Sequence, residues 1–369
     1  MVAITIRGYA RVVRIVDGRL FAFVAFDVGF EMDLEKARTL LHGTRVPALR
    51  QDRPTPPEVD YPEAPVELNL GEQRLLGDTV AVVTARLFDF GVVSVSFTLP
   101  LPAGLEDLAP YGRQLLDQVG LVRLAQAHVD ALIPRVAPAV TRLGVADLSE
   151  EYFVFQIGEL EGRPDPERLV REHGADLARA VTLEPAVLAP SYVREILGEA
   201  VTYAANDVVL SAWSAAVVYD PRYEDTVAVF EFLNIQLLEL RFQDRRLDQA
   251  LERFGSVRQR RGLGAFLNPY RQPVRELSEL TLESTVLSER VGNAMKLLGD
   301  DYLARVARKA GERLHLADWT ASIRRKQDAV ARLHDTLNDR LANQRAEALE
   351  LAIVLLIVIE IGLYFAGGH

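Results

Sequence analysis

The sequence predicts an α+β fold: a body read as a duplicated β-α-β-β-α unit with antiparallel sheets, then a long helical arm and a C-terminal apolar helix. Three observations carry this. Alternating apolar runs such as Leu20 to Phe30 recur between stretches of helical spacing. From Arg275 onward almost every apolar residue falls at helical spacing. Leu351 to Ile359 is a run of nine apolar residues without a break.

The elements follow in chain order. Ile4 to Ile15 alternates, Asp17-Gly18 follows, and Leu20 to Phe30 alternates again, which predicts a hairpin because both turn residues tolerate positive φ. Asp33 is placed to cap a short helix through Leu41. Gln51 to Val66 carries Pro54, Pro56, Pro57, Pro62 and Pro65 and predicts an extended loop. Thr79 to Phe88 and Val92 to Leu99 read as strands joined at Asp89-Phe90-Gly91, with helices near Leu105 to Leu116 and Val122 to Val136. Glu151 to Gly158 is the next strand. Asp165-Pro166 opens a helix through about Val181, because proline suits a first helical turn. A short helix, Ser191 to Leu197, leads into a β pair from Glu199 to Ala204 and Val208 to Tyr219. A long helix then covers Asp225 to Phe254.

The two series share one order, strand, helix, strand, strand, helix, which suggests the duplication. Beyond them, Leu277, Leu280, Leu287, Val291, Ala294 and Leu298 form a stripe. After a break at Asp300-Asp301 it continues through Trp319, Ile323, Val330, Leu333, Leu337 and Leu341 near a heptad period, interrupted by Lys326. This predicts a coiled coil or helical hairpin. The expected regions are an N-terminal α+β region at 1–147, an α+β core at 148–256, a helical arm at 257–345 and an apolar helix at 346–369.

Composition excludes several functions. With 49% hydrophobic residues among 369, the chain can build a core. The formal net charge of -10 argues against general DNA binding, which needs a basic surface. There are no cysteines, so disulfides, thiolate metal sites and cysteine nucleophiles are excluded. The histidines, His42, His128, His173, His315, His334 and His369, form no HExxH, and no P-loop or GxSxG occurs. No catalytic residue, metal or cofactor is expected.

The C-terminal run offers Leu351, Ile353, Val354, Leu355, Leu356, Ile357, Val358 and Ile359, followed by Glu360. About eleven strongly apolar residues at about -0.4 kcal/mol each, against about +3 for one acid, leave insertion only slightly favourable. Several tails together could bury a protonated Glu360. Arg340 and Arg345 would stay on the cytoplasmic side. The segment is therefore expected to act as a tail anchor at the inner membrane, with burial in a soluble oligomer as the alternative.

The helix near Thr226 to Asp248 places Glu231, Asn234, Glu239, Arg241 and Asp248 among apolar residues. They read as a solvated face with i,i+3 pairs, as a buried network or subunit contact, or, most sharply, as an acid–base site. Arg258, Arg260 and Arg261 lie in an arginine-rich loop suited to anionic lipid or RNA phosphate, or to solvent alone.

Ala205 to Trp213 with Val217 to Asp220, and Phe230 to Phe242 with Leu247-Asp248, resemble the required-for-meiotic-nuclear-division (Rmd/Sif, sporulation-protein) family. Phe88 to Val93 is similar to that family's aromatic-acidic-Gly-Val-Val turn, and Leu349-Glu350 through Glu360-Ile361 to its C-terminal apolar helix. The likeness runs from about Leu148 to the end. Ser94-Val95-Ser96 departs from it. The resemblance implies a bacterial relative of oligomeric, mitochondrial inner-membrane-associated proteins that support organellar translation, with no established reaction. The expected function is a non-catalytic, membrane-anchored homo-oligomeric scaffold. The alternatives are an RNA- or ribosome-associated factor and an enzyme with a site on helix 226–248.

Overall fold

A computed structural model describes residues 13–42, 44–45, 64–259 and 301–366. Its strands are β1 (Ile15–Asp27), β2 (Glu31–Met32), β3 (Thr44–Arg45), β4 (Val66–Arg74), β5 (Val80–Leu87), β6 (Val92–Pro100), β7 (Val140–Thr141), β8 (Ser149–Leu160), β9 (Val208–Ser211) and β10 (Ala215–Tyr219). Its α-helices are α1 (Leu34–Leu41), α2 (Leu108–Gln114), α3 (Leu121–Val136), α4 (Pro166–Thr182), α5 (Pro190–Leu197), α6 (Glu224–Gln259), α7 (Asp301–Arg313) and α8 (Leu316–Ala366). The chain divides into a unit of residues 1–242 and 289–318 and a unit of residues 243–288 and 319–369.

In the first unit, β1 is the axis of one eight-stranded sheet ordered β3-β4-β5-β6-β1-β8-β10-β9. The fold is thus α+β with a mostly antiparallel sheet. Every ladder is antiparallel except β8–β10. Alternation drives the layering. Leu20, Ala22, Val24 and Phe26 of β1 join Val93, Val95 and Phe97 of β6 and Phe153, Phe155 and Ile157 of β8 in one apolar core. Leu34 of α1, Leu108 of α2, Val129 of α3, Leu177 of α4 and Ile196 of α5 close that core. Asp33 and Asp165 cap α1 and α4 by accepting from Lys36 N and Arg168 N.

The other face of the sheet takes the first half of α6. Tyr152 of β8 stacks on Phe230 at 5.6 Å, and Phe90 meets Phe232 edge-on at 6.5 Å. This is why β8 is buried from Tyr152 to Ile157 without alternation. The β9 edge is flanked by α7, held by Lys309 to Glu199 at 2.6 Å and Arg313 to Glu195 at 3.1 Å.

Several expectations are corrected. Asp17-Gly18 is no hairpin turn, because β1 runs straight through it with a register irregularity. A Cβ on Gly18 would stand 2.8 Å from Gln156 O, so the glycine admits a close backbone neighbour rather than a positive φ. Glu199 to Ala204 contributes only the isolated bridge Val201 to Val209. The strand β4, from Val66 to Arg74, stands beyond the proline-rich stretch, where no strand was expected.

The two proposed repeats form one sheet rather than two. Their matching ladders also differ in sense: β1 meets β6 antiparallel, whereas β8 meets β10 parallel. The expected boundaries at 147/148, 256/257 and 345/346 fall inside the β1–β8 sheet, inside α6 and inside α8. The arm residues Leu277 to Leu298 and most of Gln51 to Val66 lie outside the described residues.

In the second unit, Leu247, Ile323 and Val330 are buried. Lys326 bridges Asp244 at 2.6 Å and Asp248 at 2.7 Å, and the Ser322 hydroxyl donates to Asp244. Among the described residues no helix is long and apolar enough to cross a membrane. The apolar run between Glu350 and Glu360 is nine residues, about 14 Å of helix, against a hydrocarbon layer of about 30 Å. The expected membrane helix of Leu351 and Ile353 to Glu360, its tail anchor and the inner-membrane location are therefore withdrawn.

Candidate functional site

The most unusual chemistry lies between α6 and the second face of the sheet. The register lines up one transverse row across five strands. Glu67 of β4 faces Arg86 of β5, Arg86 faces Ser94 of β6, Ser94 faces Ala25 of β1, and Ala25 faces Glu150 of β8. Directly opposed residues share a face of the sheet, so all five point toward α6.

Helix α6 completes the row from above. Arg86 Nη1 donates to Glu231 Oε2 at 2.6 Å and Arg86 Nε to Glu67 Oε2 at 2.8 Å. The Glu231 carboxylate holds the Arg86 guanidinium above its usual range, against the opposing pull of burial. On the far side, Arg241 pairs with the Glu150 carboxylate, and Asn234 Nδ2 donates to the Glu150 carbonyl at 3.0 Å. Ala25 at the centre carries only a methyl, which leaves room over the middle of the row for longer side chains from α6.

Asp27 lies two residues beyond Ala25 on the same face, with its Oδ1 accepting from Gly29 N. Glu239 of α6 is 1% exposed, and burial pushes its carboxyl far up, reinforced by the charge of Asp27. Both Glu239 carboxyl oxygens, Glu231 Oε1, Asn234 Oδ1 and Ser94 Oγ have no hydrogen-bond partner among the described residues.

The turn that terminates this region is built on Gly91. Its φ is +81°, and a Cβ there would fall 1.8 Å from Gly29 O. That contact lets Val28 N reach Gly91 O and Met32 N reach Asp89 O, which fixes the end of β1 carrying Asp27.

Of the five residues singled out on this helix, Glu239 is buried without a hydrogen-bond partner among the described residues, and Glu231, Asn234 and Arg241 meet the row. Asp248 does not, since it pairs with Lys326 in the second unit. Sequence reasoning missed Asp27, Glu67, Arg86, Ser94 and Glu150. The available signal was the polar residue recurring on otherwise apolar strands, as in Val92-Val93-Ser94-Val95-Ser96-Phe97. Arg260 and Arg261, with the side chain of Arg258, lie outside the described residues. Among the described residues no group of three or more His, Asp and Glu is placed to hold a metal ion. The two guanidiniums of the array are engaged by its own carboxylates, Arg86 by Glu67 and Glu231 and Arg241 by Glu150.

Residues 17–226, more than half of the chain, match the family described as "Uncharacterized protein MJ0711, N-terminal domain", and the chain belongs to it. That match replaces the resemblance to the Rmd/Sif family, which is not upheld, and the mitochondrial and translational associations go with it. No curated protein and no solved structure matches the chain. The matched span contains the whole sheet side of the array, from Asp27 to Glu150, and ends at Thr226 as α6 begins.

Proposed function

We propose that this member of the MJ0711 N-terminal-domain family is a non-catalytic scaffold that assembles with further copies of itself through the far end of α8. The supporting observation is exposure. Ile353, Val354, Leu355, Leu356, Ile357, Val358 and Ile359 are each 48–64% exposed, as is Ile361 at 53%. With 3.6 residues per turn, seven consecutive aliphatic residues cover every face of the helix. A fully buried side chain of this kind is worth about 1.5–3 kcal/mol, so covering this segment offers several kcal/mol per chain.

A second copy brings the same surface with it. Leu333, Leu337 and Leu341 lead up to the segment in the sequence at the spacing that an assembly seam uses. The arm and apolar end are thus read as assembly elements and the α+β domain as the body that they gather. No observation favours the RNA- or ribosome-associated alternative, whose arginines lie outside the described residues. An enzymatic reading of helix 226–248 has no support either, because Glu231, Asn234 and Arg241 are engaged with Arg86 and Glu150.

The test is the mass in solution of the full chain and of a variant carrying Leu355→Asp, Leu356→Asp and Val358→Asp. Light scattering should give a multiple of 41.0 kDa for the wild type and a single chain for the variant. A wild-type protein that stays monomeric at tens of micromolar would overturn the reading.

A further inference from the structure

We propose that one water molecule is sealed between α6 and the sheet, held by Ser94, Glu231 and Asn234. The inference is independent of the assembly reading.

Two hydrogen bonds fix where α6 crosses the transverse row. Glu231 meets Arg86 of β5, and Asn234 meets the Glu150 carbonyl of β8. Strands β6 and β1 lie between those two strands and supply Ser94 and Ala25 to the row. Neighbouring strands stand about 4.8 Å apart, so Arg86 and Glu150 are about 14 Å apart at their backbones. Glu231 and Asn234 are neighbours on the helix, with about 5–6 Å between their Cβ atoms. To reach both ends of the row, the turn 231–234 must pass over its middle. Ser94 and Ala25, the two smallest side chains of the row, therefore lie beneath that turn.

The atoms left over at this point form a matched set. Ser94 and Asn234 are 1% exposed and Glu231 is 2% exposed. Ser94 Oγ, Glu231 Oε1 and Asn234 Oδ1 have no hydrogen-bond partner among the described residues. Glu231 Oε1 is left because Arg86 engages Oε2. The Asn234 amide is oriented by its neighbour: Nδ2 faces the Glu150 carbonyl, since a flipped amide would set two acceptors together. Two acceptors and one hydroxyl remain. Water answers them one for one, donating to Glu231 Oε1 and Asn234 Oδ1 and accepting from the Ser94 hydroxyl. Three polar partners are the usual number for a buried water. Orphaned buried polar atoms are rare in native proteins, and a bridging water is their common relief. Ala25 leaves the space, because a larger residue at that position would project toward α6. The water ties α6 to β6 through a serine whose hydroxyl has no other partner among the described residues.

The experiment combines a high-resolution crystal structure of the full chain with water-oxygen magnetic relaxation dispersion in solution, on the wild type and on Ala25→Val. The wild-type density should show one water at about 2.7–3.2 Å from Ser94 Oγ, Glu231 Oε1 and Asn234 Oδ1. Relaxation dispersion should count one long-lived water fewer in Ala25→Val, whose added methyls take the space. An unchanged count would overturn the proposal. The wild-type crystal structure decides the matter even if the variant does not fold. A Ser94 hydroxyl bonded directly to Glu231 or Asn234, or a dry gap, would overturn the proposal. An occupant at about 2.0–2.6 Å from these oxygens would be a metal cation and would overturn it too.

Discussion

At the residue scale, the array beneath α6 divides into paired charges and one unpaired acid, and the two kinds should respond differently. Glu231 has a side chain only 3% exposed, and Arg86 is the partner of its Oε2. Removing one partner of a buried pair leaves the other's desolvation uncompensated, at about 3–5 kcal/mol. Arg86→Met should therefore cost about that much in urea denaturation, and adding Glu231→Leu should recover most of it. A double variant as unstable as the single one would place the cost elsewhere. Gly91 is constrained twice, by φ and by the approach of Gly29 O, so Gly91→Ala should cost about 2 kcal/mol or more. These residues also show what the sequence hides. A glycine after aspartate is the mark of a tight turn, yet Gly18 serves close strand packing, and only the identity of its neighbour decides which. Ser94 alternates with apolar residues and Glu150 sits in the polar run Ser149-Glu150-Glu151, both as solvent-facing positions do. Their real neighbour is α6, which arrives 74 to 147 residues later in the chain and leaves no local trace.

At the element scale, the parts best marked in the sequence were those whose signals are local. Asp33 and Asp165 cap α1 and α4, and Pro166 occupies the first turn of α4, because capping needs only the next three residues. Asp165→Ala should then destabilise by about 1 kcal/mol, read from the shift in urea midpoint, and Asp165→Ser should restore most of the loss. Elements set by distant partners were less legible. The strand β4 owes its place to pairing with β5, and Glu199 to Ala204 failed as a strand because only Val201 meets β9. Lys326 looked like a flaw in an apolar seam. It is a bridge between Asp244 and Asp248, whose hydrogen bonds outweigh partial burial and raise its ammonium pKa. Lys326→Leu, which improves the heptad pattern, should lower helix stability by about 1 kcal/mol, because two carboxylates lose a shared donor. Amide exchange over residues 244–248 measures this, and faster exchange is expected.

At the scale of the whole molecule, buried acids and net charge should act in the same direction with pH. Burial raises the carboxyl pKa of Glu239, Glu151 and Asp220 above the unfolded value. Between the unfolded and folded values the native state binds more protons than the unfolded chain. Their stabilisation is therefore complete below the unfolded value and is lost as pH rises through the folded one. Glu199 works in the opposite sense. The hydrogen bond from Lys309 lowers its pKa, so its contribution is present above the unfolded value and fades only as pH falls below it. The formal charge of -10 at pH 7 grows more negative with pH and adds self-repulsion. The melting temperature should accordingly be highest in mildly acidic buffer, around pH 5 to 6, and decline toward about pH 8. Salt separates the two causes. Exposed charges are screened over about 10 Å at 0.1 M, whereas a carboxyl sealed between α6 and the sheet is screened far less. Added salt at about pH 8 should thus restore the part of the loss due to net charge and leave the part due to buried acids. A melting temperature that rises steadily from pH 5 to 8, or a decline that salt removes completely, would mean that the buried carboxyls carry no protons in the native protein.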